Sequence, residues 1–90
     1  MQNFYFTFGS DPLYPYGRKD YVVVEADSLT IACQLFNLVH QPRHGDVLNC
    51  AFIYTEKQFN KFRDEYYRDV MPVEVISLQI TRRKEPQTKQ

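Results

Sequence analysis

Residues 20–42 read DYVVVEADSLTIACQLFNLVHQP, and the fold turns on how that run divides. Residues 20–26 form a strand by propensity, because three consecutive Val and a Tyr suit a pleated, half-buried surface. Directly after it, Asp27 or Ser28 supplies a side-chain oxygen for the exposed first-turn amides of a helix. Ile31, Ala32, Leu35, Phe36 and Val39 then recur at helical spacing, which gives one apolar stripe. Pro42 ends the helix at or before Gln41, since a proline drives the preceding residue out of helical conformation.

Upstream, residues 3–9 read NFYFTFG, where Phe4, Phe6 and Phe8 alternate with Tyr5 and Thr7 at the period of a strand. Between the two strands lies SDPLYPYGRK, residues 10–19, punctuated by Pro12, Pro15 and Gly17. Proline removes backbone donors, so this stretch is a loop, and it is long for a hairpin connection. Downstream, residues 43–49 read as a turn and residues 50–54, CAFIY, as a short strand. Thr55 and Gln58 have the spacing of a capping box, and Phe59, Phe62 and Tyr66 then mark one face of a second helix. PVEVISLQIT, residues 72–81, alternates again and reads as the last strand.

The expected fold is therefore α+β: a two-layer sandwich in β-β-α-β-α-β order, with a four-stranded mixed sheet and two helices on one face. Residues 1–81 form the domain, since ninety residues have no room for two. Residues 82–90 hold Arg82, Arg83, Lys84 and Lys89 against Glu85, a net charge of +3, with no apolar side chain but Pro86. They read as a disordered basic tail. The first 81 residues carry seven Lys+Arg against ten Asp+Glu, a net charge of −3, and the whole chain is neutral. Such a balance argues against a general polyanion binder.

Alternation gives the sheet two faces. Phe4/Phe6/Phe8, Val22/Val24/Ala26 and Ile76/Leu78/Ile80 are the greasier sets and are assigned to the helices. The opposite face then carries Tyr5, Thr7, Tyr21, Val23, Glu25, Val75, Ser77 and Gln79 as an open, tyrosine-bearing surface. Residues 50–54 are apolar on both sides, the habit of a central strand. Tyr14 and Tyr16 flank the rigid Pro15 in the loop, which lowers the ordering cost of binding. The candidate binding residues are thus Tyr5, Tyr14, Tyr16, Tyr21 and Arg18.

Chemistry of bond making finds little support. Cys33, His40, His44 and Cys50 lack the paired-cysteine spacing of a zinc site. Cys50, His44 and Asp46 can be written as a nucleophile, base and orienter, but no oxyanion-loop signature accompanies them, and Cys50 reads better as a small buried hydrophobe. Gly9-Ser10-Asp11 has neither the glycine spacing nor the following helix of a phosphate loop. No catalytic residue, metal or cofactor is expected. Apolar runs are too short to cross a bilayer, and MQNFYF lacks the features of a signal peptide, so a cytoplasmic protein with two free thiols is expected.

The stretches FYFTFGSDPLYPYGRKDYVVVEA, ADSLTIACQLFN and LNCAFIYTEKQF resemble a group of small proteins encoded on phages and integrated elements of Firmicutes-type bacteria. The resemblance covers roughly residues 3–60, is strongest over residues 5–12, and carries no assigned activity. It implies an accessory protein of a mobile element. Small proteins of that kind often bind and block one host protein, inhibitors of CRISPR nucleases being one example. The expected function is accordingly non-enzymatic protein binding, with a host or phage protein as partner and a Cas nuclease as the sharpest case. One alternative is a small RNA- or single-strand-binding module using the sheet tyrosines and the tail. Another is a homodimeric structural or regulatory phage protein.

Overall fold

The computed structural model describes residues 1–42, 45 and 47–77. The expected tail, the end of the expected last strand, His44 and Asp46 lie outside the described residues. Strand β1 (Gln2–Thr7) is followed by β2 (Tyr21–Ala26), helix α1 (Leu29–Val39), β3 (Phe52–Thr55), the short helices α2 (Glu56–Asn60) and α3 (Arg63–Tyr66), and β4 (Glu74–Ile76). The α+β class and the four-stranded mixed sheet are as the sequence implies. Sheet order is β3-β1-β2-β4. β1 pairs antiparallel with both β2 and β3, while β2 and β4 run parallel.

Local signals hold where the chemistry is specific. Ser28 caps α1, its Oγ accepting from the Ile31 N–H. Helix α1 stops at Val39, short of Pro42, and the cap residue His40 donates its backbone N–H to the Phe36 carbonyl. Thr55 and Gln58 form the reciprocal capping box at α2. The expected single second helix is instead two short ones. Phe62 leaves helical geometry with φ −125°, ψ 6° between them. That break turns its ring toward Tyr54, Phe59 and Tyr66 at once.

The main correction concerns the two faces of the sheet. Phe4, Phe6, Phe8, Val22 and Val24 do pack against α1 through Ala32 and Phe36, and Phe6 and Phe36 stack with centroids 4.5 Å apart. The other face is covered as well. Tyr5, Tyr21 and Val23 pack against Phe59 of α2 and against Phe62 and Tyr67 around α3. The helices therefore lie on opposite faces, and the domain has three layers with two cores.

Strand order explains this. β2, β3 and β4 are mutually parallel, each lying antiparallel to β1 or parallel to β2. The connection through α1 runs from β2 across β1 to one edge of the sheet; the connection through α2 and α3 runs from that edge back to the other. Parallel crossovers are right-handed almost without exception, so crossovers in opposite directions place their helices on opposite faces. β3 is likewise an edge strand, not a central one. Its two-sided apolarity leaves Phe52 63% exposed.

Candidate functional site

Each of the five candidate binding residues lies among the described residues. Tyr5 and Tyr21 are 5% and 2% exposed and belong to the second core. The Tyr5 ring stacks on Phe59 at 4.3 Å with an interplanar angle of 9°. Arg63 lies over this pair, its guanidinium carbon 5.7 Å from the Tyr5 centroid and 5.1 Å from that of Phe59, and its Nη2 donates to the Tyr5 hydroxyl at 3.4 Å. Burial holds the Tyr5 phenol above its ordinary pKa, with the Glu56 charge adding and Arg63 opposing. The Tyr21 hydroxyl donates to the Val70 carbonyl at 2.8 Å. These two tyrosines satisfy their polar tips inside the protein, so the open tyrosine face expected from alternation is closed.

Tyr14 and Tyr16 are half-buried against the first core. Both rings contact Phe8, with centroids 6.1 Å and 5.5 Å away. Tyr16 also joins a polar cluster: its hydroxyl donates to Glu74 Oε1 at 3.2 Å, and His40 Nε2 lies 2.7 Å from the same oxygen. This cluster ties the β1–β2 loop, the end of α1 and the start of β4 together. Burial and the neighbouring Glu74 carboxylate push the Tyr16 phenol up, which keeps it a donor. The loop itself is well braced. Asp11 accepts from the Leu13 N–H and Asp20 from the Gly17 N–H, both at 2.9 Å.

Arg18 is different: it is exposed and borders a cleft of about 450 Å³. The floor comes from the sheet, through Thr7 and Phe8 beside Phe52 and Tyr54. One wall is Tyr66 and Tyr67 at the end of α3, and the rim is Arg18 with Lys19 from the β1–β2 loop. The cleft exists because α2 and α3 are short. They cover Tyr5 and Tyr21 but not the start of β3, and Phe52 and Tyr66 are 63% and 64% exposed. Thr7 fastens the edge strand there, its carbonyl accepting from the Ala51 N–H and its hydroxyl donating to the Phe52 carbonyl. The Tyr67 hydroxyl donates to the Arg18 carbonyl at 3.5 Å, which sets the rim against the wall.

Among the described residues the lining therefore joins five aromatic side chains to two cations, with no carboxylate. Among the described residues neither cation is in an ion pair. Sequence reading identified Arg18 but missed Lys19, Phe52, Tyr54, Tyr66 and Tyr67. The available signal was the pair Phe52 and Tyr54, two rings on one side of a strand; assigning that strand to the centre of the sheet hid them.

Cys50 and Cys33 are free thiols packed against the first core. Burial, with a smaller contribution from Cys33, pushes the Cys50 thiol up from 9.0 to about 12. The thiolate is the reactive form, so at pH 8 Cys50 in the folded protein is expected to react with iodoacetamide roughly a thousandfold more slowly than in the urea-unfolded chain. The same shift links to stability. The unfolded thiol loses its proton near pH 9 while the folded one keeps it, so this contribution is fully present below pH 9 and is lost as pH rises toward 12. Urea midpoints at pH 8 and pH 10.5 should fall in that order, and a Cys50→Ser variant should show a smaller drop.

Among the described residues no helix is long and apolar enough to cross a membrane. No family model, curated protein or solved structure matches the chain.

Proposed function

We propose that this protein is a non-enzymatic binding module that engages another protein through the aromatic cleft between β3, α3 and the β1–β2 loop. One observation carries the reading: Phe52 and Tyr66 both line the cleft and are mostly exposed, while the other aromatic rings pack in or against the two cores. Exposed aromatic area next to arginine is the composition of interface centres, where Tyr and Arg contribute most to affinity. The best candidate nucleophile supports a non-catalytic role, because burial holds Cys50 protonated at neutral pH. The two free thiols fit a reducing cytoplasm.

The sharper version, an inhibitor of a host defence nuclease encoded on a mobile element, rests on the resemblance over residues 3–60. The binding surface in this reading is not the sheet face of Tyr5 and Tyr21; it is the rim and floor around Arg18, Phe52 and Tyr66. Immobilised protein incubated with bacterial lysate tests it. The wild type is expected to retain a host protein at near-stoichiometric level that a Phe52→Ala/Tyr66→Ala variant loses. Both side chains are exposed, so the variant should keep its fold, as its circular dichroism and melting midpoint would verify. Equal retention by both proteins would refute the cleft as the interface.

A further inference from the structure

The chemistry of the cleft also restricts what fills it. We infer that its occupant is an extended peptide segment carrying carboxylates on either side of an aromatic side chain. This rests on the binding-module reading and deepens it. Two features of the lining select the occupant. The rim presents Arg18 and Lys19, adjacent in the loop, exposed, and free of ion pairs among the described residues. Asp20, the nearest acid in sequence, has its Oδ2 committed to the Gly17 N–H. The floor and wall below that rim are aromatic. A ring on the partner can lie against Phe52 and Tyr66 while carboxylates beside it reach the two cations. A volume of about 450 Å³ falls in the range of ligand clefts and suits one large side chain with its neighbours.

Geometry favours a peptide main chain. Among the described residues β3 ends the sheet order, with no strand on its outer side. An extended segment running past Phe52 and Tyr54 lies beside an edge strand, where main-chain groups pair readily. Single-stranded nucleic acid would also stack on aromatic rings, but it needs phosphate neutralisation along its length. The cleft offers two cations, on a body where ten acids outnumber seven bases over residues 1–81. A long polyanion extends past the two cations over a net acidic body, whereas a short acidic peptide ends near the rim.

The test is a titration of the full-length, ¹⁵N-labelled protein followed by amide resonances. The probe is the blocked peptide acetyl-Asp-Glu-Phe-Glu-Asp-amide. Its neutral counterpart carries Asn and Gln in place of the acids, and ten-residue oligothymidylate is the third ligand. The acidic peptide is expected to shift the resonances of Thr7, Lys19, Phe52 and Tyr66, with the neutral one about tenfold weaker. An Arg18→Ala/Lys19→Ala variant should lose about the same factor for the acidic peptide and nothing for the neutral one. Both rim residues are exposed, and the spectrum of the variant itself reports its fold.

Equal binding of the two peptides would overturn the charge assignment. Tighter binding of oligothymidylate at the same resonances would overturn the peptide and make nucleic acid the occupant. No shift with any ligand would overturn the inference about the occupant while leaving the lysate experiment, which alters only the aromatic pair, to decide the binding reading itself.

Discussion

Replacing Phe59 by Ala is expected to destabilise the protein by about 3–5 kcal/mol, enough to lower its melting midpoint by roughly 15 °C or more. Phe59 is fully buried, stacks on Tyr5 at 4.3 Å, and sits 4.9 Å from Tyr21, 5.3 Å from Phe62 and 5.1 Å from Tyr67. Its removal empties the centre of the second core. It also strips a face from Arg63, whose Nε is buried without a hydrogen-bond partner among the described residues. A domain of this size has a total stability of about 5–13 kcal/mol, so the variant keeps only part of its folding free energy. Urea denaturation of the two proteins measures the difference. A loss under about 1 kcal/mol would mean that α2 does not cover that face of the sheet.

Tyr21→Ser is the second large effect, again expected at about 3–5 kcal/mol. The substitution deletes a ring that is 2% exposed and in contact with Tyr5, Phe59 and Tyr67. It also removes the donor to the Val70 carbonyl. Tyr21→Phe keeps the ring and gives up only that hydrogen bond, for a cost of about 1 kcal/mol. The pair of variants separates two pictures of the same residue. On an open face, Ser would cost little and Phe nothing. In a closed core, Ser costs several times what Phe does. Thermal melts monitored by far-ultraviolet circular dichroism distinguish them.

Much of the architecture can be read from residues whose constraint is local. Ser28, Pro42, and the pair Thr55 and Gln58 locate helix ends because capping and proline geometry act within one turn. Which face of the sheet each helix covers is a long-range property, decided by the order in which the strands pair. The one local hint is the run Val22-Val23-Val24, continuous rather than alternating, as expected of a strand buried on both faces. The cleft was harder still to read. Phe52, Lys19 and Tyr66 come from three separate segments, and only the early stop of α3 and the edge position of β3 bring them together. Tyrosine content pointed to exposed phenols, yet Tyr5 and Tyr21 had hydroxyl partners waiting in Arg63 and Val70.

β4, the last strand among the described residues, pairs with β2 and not with β3, the strand before it, with Val24 opposite Ile76. During synthesis the hairpin of β1 and β2 leaves the ribosome before β3 and β4, and β3 joins it on the side of β1. The outer edge of β2 stays unpaired until translation has passed Ile76, and Tyr21 has no lid until Phe59 and Tyr67 have emerged. A nascent chain in this state exposes a valine-rich edge, the kind of surface that aggregates or recruits a chaperone. Ribosomal pausing within residues 27–73 would prolong that exposure, and the yield of native protein should be sensitive to it.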